Sequence, residues 1–380
     1  MGSFFVAMLA VAAVPAALAQ HSLVNQDKQI HMNQIQVIGS HNSYHKGFAP
    51  SEAKWLEQRN PDAYHSLEYR HASLADQLDG GVRQLEIDIF ADPKGGKFAH
   101  PKVVEWVKAA GLPADPDFDP DHEMDKPGFK VMHVQDLDER SQCHTFVKCL
   151  QQVKGWSKGH PMALPVFLLI ETKEGAVRNL PNAEVPLPFT SETFDAVDAE
   201  IRSVFSEDEM ITPDMVRGKY ATLPEAVKAG NWPTLDKARG KVVFLIDQRP
   251  KEETYLAGHP ALKGRVMFTN AVPGRDDAAF TEMNSGSKEE IDALVKQGYL
   301  VRARTDDGTI AARTNDTKRR DEVLASGAQL VSTDYPPSEP ASWTGFFVGL
   351  PGGLVARCNP IDAPASCDSK ALDGTLRARH

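Results

Sequence analysis

Eight short runs rich in Val, Ile, Leu and Phe recur along the chain, at residues 35–40, 82–90, 130–134, 166–172, 242–247, 266–270, 300–305 and 329–333. Segments that read as helices or long loops separate them. The later runs alternate with helical patterns at 288–297 and 316–326, the second stopped by Gly327. Strand–helix alternation without hairpin turns predicts a parallel sheet. Eight such units in about 300 residues predict a closed (β/α)8 barrel, the TIM-barrel architecture, over an open doubly wound sheet. Neither a Gly-x-Gly-x-x-Gly after a strand nor a Gly-x-x-x-x-Gly-Lys-Ser/Thr occurs, so nucleotide binding loses its main support.

The chemistry lies where these apolar runs end in polar residues, since barrel enzymes place their sites at the carboxyl ends of the strands. The first run ends in His41 and Asn42. The second reads Leu-Glu-Ile-Asp-Ile-Phe, and alternation puts Glu86 and Asp88 on one face with Leu85, Ile87 and Ile89 on the other. Two like charges on one inward face repel unless a cation or proton sits between them. The third run brings His133 and the fourth ends in Glu171. One amide and three carboxylates form an all-oxygen set suited to a hard cation such as Ca2+ and less to zinc. Two histidines beside it supply a general base and a general acid.

Other features read more plainly. His45, His100, His122, His144 and His160 lack such placement and are expected to be structural. Long insertions at 92–128 and 174–233 follow strands and are expected to wall the site. The acids of the first lack the spacing of a calcium loop and predict a solvated segment. The basic run Lys318, Arg319, Arg320 is flanked by Asp316, Asp321 and Glu322, a solvated helix face. The net charge of −10 opposes nonspecific binding to nucleic acid or an anionic bilayer.

Residues 1–20 carry no charged side chain and end in a small-x-small pattern, so 1–19 are expected to be a signal peptide and the protein secreted, extracellular or periplasmic. No later stretch is apolar enough to span a bilayer. Four cysteines form two sequence-local couples, Cys143 with Cys149 and Cys358 with Cys367, as expected of disulfides in an oxidising compartment. Six residues of helix advance about 9 Å, beyond the roughly 7 Å reach of a disulfide. If the first couple is bonded, Cys143 must therefore lie outside the helix that follows.

At these residues the sequence resembles a known family. The segments SHNSY, LEIDIF, MHV and LLIETK, with KPGFKVMH and SQCHTFVKCLQQVKGW, are similar to the signature segments of the phosphatidylinositol-specific phospholipase C superfamily, in its secreted, calcium-dependent microbial branch. The likeness runs from about Ile35 to Pro336. It implies a barrel catalytic domain over residues 20–340 and a C-terminal extension, 341–380, with a local disulfide. It further implies cleavage of phosphatidylinositol to diacylglycerol and an inositol phosphate, cyclic in the first instance. Asn42, Glu86, Asp88 and Glu171 fall where ligands of one calcium ion are expected, and His41 and His133 where the catalytic pair is expected. The base is either His41 or Glu86.

The family's animal members end the fifth strand in a lysine that holds headgroup phosphates, whereas this chain reads Phe-Leu-Ile-Asp to Asp247. Lys173, Arg302 and Arg304 are the substrate-binding cations expected instead, although both arginines also fit as barrel ion-pair partners. Asp334, just past the last strand, is expected to orient His41. The expected partner is a phospholipid at a membrane surface, met transiently by a monomer. Two rivals remain at this point: a glycerophosphodiester phosphodiesterase, which LVSTDYP resembles, and a non-catalytic calcium-dependent module binding inositol lipids.

Overall fold

The alternation of apolar runs and amphipathic segments closes into a barrel. The computed structural model describes residues 26–177, 180 and 182–373, so the expected signal peptide lies outside the described residues. Eight parallel strands form the barrel: β1 (Ile35–Ser40), β2 (Gln84–Phe90), β4 (Val166–Thr172), β5 (Val242–Ile246), β6 (Met267–Phe268), β7 (Phe280–Glu282), β8 (Leu300–Arg304) and β9 (Leu330–Thr333). They stand side by side in the order β6-β5-β4-β2-β1-β9-β8-β7. A parallel bridge between Asn270 and Phe280 joins the two end strands.

The expected count of eight strands holds, but two memberships differ. The third expected strand, 130–134, contributes only β3 (Lys130–Val131), which pairs antiparallel with the end of β2 and stands outside the barrel. Its place among the eight is taken by β7, a three-residue strand reading Phe-Thr-Glu, too short and too polar to show as an apolar run. His133 therefore sits on a turn: Val134 bridges Asp138, and Asp136 between them is left-handed at φ 66°.

Helices pack outside the barrel, among them α1 (Pro50–Arg59), α2 (Lys102–Ala109), α3 (Phe146–Gly159), α4 (Ser191–Val204), α5 (Lys288–Val295) and α6 (Lys318–Ser326). Local signals set their ends. Ser287 accepts the Glu290 N–H while the Glu290 carboxylate takes the Ser287 N–H, a capping box. Gly327 ends α6 at φ 77°, a conformation costly for any residue with a Cβ. The insertion at 92–128 rises from the carboxyl end of β2 as expected. The one at 174–233 does so only in its first part, because Ile211 donates to Val242 and Leu235 to Ile30, at the barrel's amino end.

Two further features tie the chain together. Beyond the last barrel strand, β10 (Ala356–Cys358) pairs antiparallel with Ile35, Gln36 and Val37 of β1. Both cysteine couples are bonded, and Cys143 precedes α3 while Cys149 lies in it, with Cα atoms 5.3 Å apart. Pairing of all four cysteines fits an oxidising compartment. No helix among the described residues is long and apolar enough to cross a membrane.

Candidate active site

Strand register builds the centre. Asp88 of β2 and Glu171 of β4 are Cα partners in a parallel pair, so their side chains leave the sheet on the same side. Glu86 lies two residues earlier on that face. The three offer oxygens within 4.8 Å of one another. Both oxygens of Asp88 are buried without a hydrogen-bond partner, though the Lys173 ammonium approaches Asp88 Oδ2 and Glu171 Oε1 at 2.8 Å each. Burial, reinforced by Asp247 and Glu171 and opposed by Arg302, raises the Glu86 carboxyl to about 8. Burial and then Glu171 push the Asp88 carboxyl well above its usual value. Buried acids so placed resist ionising together, and a bound divalent cation would relieve them. The residues present fit calcium: hard oxygen donors, of which Asp88 Oδ1 is buried without a partner.

The loop after β1 delivers the amide. Asn42 is left-handed at φ 46°, a conformation its short polar side chain tolerates. Its Nδ2 donates to the Tyr69 hydroxyl at 2.7 Å, and the Tyr44 hydroxyl reaches its Oδ1 at 3.5 Å. Ser43 locks this loop to β2, donating its N–H to the Glu86 carbonyl and accepting the Glu86 N–H.

Each histidine is held by its own carboxylate. His41, one-fifth exposed, donates from Nδ1 to Asp334 Oδ1 at 2.7 Å and turns Nε2 toward Glu86 Oε1 at 3.5 Å. Burial and the Arg304 charge push its pKa well below the usual value despite Asp334, which leaves it neutral near pH 7. Burial opposes the Asp334 charge, but Arg304 and His41 outweigh it and hold its pKa low. His133 donates from Nδ1 to Asp138 Oδ2 at 2.9 Å, and burial lowers its pKa too. A cavity of about 180 Å³ opens beside it, lined by Phe90, Lys173 and Pro186 among others.

The remaining cations face inward. Arg302, 2% exposed, is paired with Glu86 and Glu282 and bonded to Asn284 and Ser332. Arg304 holds Asp334 at 3.3 Å. Both take the ion-pair role that the sequence left open for them. Sequence reasoning missed Asp138, Glu282 and the bond from His45 to Asp138. Asp138 is five residues from His133 and meets it only because the 134–138 turn closes. Glu282 belongs to the strand that went unseen. His45 is buried, with Nε2 at 2.9 and 3.0 Å from the two oxygens of Asp138. Its place four residues after His41 in the Ser-His-Asn-Ser-Tyr-His segment was the signal available.

A parallel eight-stranded barrel with three converging acids and two carboxylate-held imidazoles at one mouth defines a barrel enzyme with a divalent-cation site. A sequence profile of calcium-dependent phosphoinositide phospholipase C matches residues 30–360. The chain belongs to that family and is a calcium-dependent phosphatidylinositol-specific phospholipase C. Its fold is similar to that of a calcium-dependent phosphoinositol-specific phospholipase C from a Gram-negative Pseudomonas species in its apo form (TM-score 0.55, 16% identity, covering 88% of this chain and 96% of that one). It is also similar to the calcium-dependent enzyme of Streptomyces antibioticus (TM-score 0.51, 18% identity, covering 83% of this chain and 98% of that one). At such identities these likenesses carry the fold alone. No curated protein matches the chain at a significant level.

Proposed function

We propose that the chain cleaves phosphatidylinositol by attack of the substrate's own 2-hydroxyl on phosphorus, releasing diacylglycerol and a cyclic inositol phosphate. The observation that carries this reading is a carboxylate-held imidazole on each side of the acidic trio: His41 beside Glu86, and His133 lining a cavity with Lys173, which pairs with Asp88 and Glu171. Asn42, Glu86, Asp88 and Glu171 would hold one calcium ion. When bound, it lowers the pKa of the hydroxyl and offsets charge on the phosphoryl oxygens.

His41 is the base. It is neutral, Asp334 fixes its Nδ1–H, and its Nε2 is left to take the hydroxyl proton. Glu86 is less suited, being paired with Arg302 and a metal ligand. As the bond from phosphorus to the glycerol oxygen breaks, that oxygen takes a proton from His133 Nε2. The free enzyme holds His133 neutral, and the charge of the bound diester favours its protonation. Lys173 is the cation that faces a phosphoryl group in the cavity, while Arg302 and Arg304 position Glu86 and Asp334.

Residues 20–340 form the catalytic unit and 341–380 an extension, whose strand Ala356–Cys358 pairs with β1. The protein acts as a secreted monomer in transient contact with membranes. Support for that contact comes from exposed apolar side chains beyond strand carboxyl ends: Val185, Leu187 and Val272 in connecting segments, and Ile310, 70% exposed, at the start of the short helix Ile310–Thr314 after β8. Phosphorus NMR of phosphatidylinositol turnover tests the chemistry. A cyclic product is expected, and its absence throughout the time course would overturn attack by the substrate hydroxyl. His41→Ala should cut kcat about 10²-fold or more, and wild-type turnover in that variant would remove His41 as base.

A further inference from the structure

The buried histidine that faces no substrate is placed to act on one that does. His45 is fully buried, and its Nε2 meets both oxygens of Asp138, at 2.9 and 3.0 Å. Asp138 in turn accepts Nδ1–H of His133 at 2.9 Å on Oδ2. The two imidazoles are the side-chain partners found on this carboxylate.

Their surroundings differ. His133 lies on a turn and is 18% exposed on its side chain. The backbone of His45 is held at three points: its N–H donates to Asn42 O, its carbonyl accepts from His71 N–H, and it bridges Ser141. Its ring lies 4.7 Å from that of Tyr69 and edge-on to Phe48. A carboxylate gripped only by a side chain on a turn rotates with it. One gripped on both oxygens by a fixed ring does not.

We infer that His45 is a positioning residue for the proton transfer to the departing glycerol oxygen, acting through Asp138. The inference rests on the reading of His133 as acid. His45 holds Asp138, Asp138 fixes His133 with its proton on Nδ1, and Nε2–H of the protonated ring is thereby aimed at the leaving oxygen. The phosphorus–oxygen bond breaks with its electron pair staying on the glycerol oxygen, which takes that proton. The proton of the attacking hydroxyl goes to His41.

An alternative stands in the same contacts. His45 packs against Tyr69, whose hydroxyl accepts from the amide of Asn42, so it could act on the calcium arm instead. Leaving groups separate the two roles. Turnover is measured on phosphatidylinositol in detergent micelles, whose alkoxide needs a proton, and on p-nitrophenyl inositol 1-phosphate, whose phenolate does not.

His45→Ala should lower kcat on the lipid about 10²-fold, in the range of lost general-acid catalysis, and change kcat on the nitrophenyl ester less than about threefold. His45→Gln, whose amide N–H reaches the place of Nε2, should restore most of the lipid turnover. The ratio of the two rates within one preparation does not depend on the folded fraction, so a poorly folding variant still reads out. Equal losses on both substrates, or no loss on either, overturn the role of His45. His133→Ala is the control. If it lowers both rates equally, the acid reading itself fails; if it is selective while His45→Ala is not, only this inference fails.

Discussion

Gly39→Ala should damage catalysis far more than stability. Gly39 and Gln84 are the single register pair at which β1 meets β2. Gly39 does not have a positive φ, so the substitution is judged by space alone. An added Cβ would lie 2.1 Å from Gln84 Oε1, 2.7 Å from its Cδ and 2.8 Å from its Cβ. A rotamer change of Gln84 removes the first two contacts. The third is fixed to the backbone, so the strands must part by about 0.6 Å to reach ordinary contact at 3.4 Å.

Overpacking of this kind costs about 1–3 kcal/mol, a fall of roughly 1–4 °C in Tm for a chain of this size. The seam, however, divides the proposed calcium set, with Asn42 on one side and Glu86 and Asp88 on the other. Misplacement by up to about 1 Å at a reacting centre costs as much as 10²-fold, and at least a tenfold loss of kcat at saturating calcium is expected here. The assay pairs thermal unfolding in EGTA with turnover across a calcium titration. Adding Gln84→Ala should recover part of the stability while turnover stays low, because the Cβ contact persists. Wild-type kcat in a destabilised Gly39→Ala variant would refute the coupling of the seam to the site.

Chelation by EGTA should abolish turnover, with Ca2+ restoring it better than Mg2+ and Zn2+ alone failing, as measured by product release after metal replacement. Glu200 supplies a pH test. Burial, against the Phe129 N–H and Lys130, raises its carboxyl to about 7, above the roughly 4.3 of an unfolded glutamate. The folded state therefore binds more protons between those values, and stability falls as pH rises through them. Glu200→Gln should leave Tm unchanged near pH 4 and raise it at pH 8; a gain at both would refute the linkage. Ile310→Ser should weaken sedimentation with phosphatidylinositol vesicles several-fold while sparing turnover of a water-soluble inositol phosphodiester, and equal effects on both would remove it from the membrane contact.

The sequence displayed the barrel's chemistry where side-chain period and apolar pattern coincide. Glu86 and Asp88 alternate with Leu85, Ile87 and Ile89 on a strand buried along its whole length, so their common face followed from the pleat. His41 and Glu171 sit where long apolar strands stop. His133 was read as a strand end but sits on a turn, because Lys130–Val131 resembles a barrel strand locally and only tertiary pairing makes it antiparallel. The partners of these groups were less visible. Asp138 depends on a left-handed turn at Asp136, Glu282 on a three-residue strand, and Arg302 on which carboxylate lies across the barrel. Such contacts are set by closure, which no local pattern encodes.

Pairing of β10 with the lower half of β1 has a consequence for the order of assembly. The founding strand waits for hydrogen-bond partners that arrive about 320 residues later in synthesis. A chain emerging amino end first thus carries an open edge at Ile35–Val37 until Ala356–Cys358 have been made, and the disulfide from Cys358 to Cys367 closes a loop at the end of that pairing. For a hydrolase of membrane lipids, the strand that leads into His41 and Asn42 thus completes its hydrogen bonding only after the strands carrying Glu86, Asp88 and Glu171 have been made.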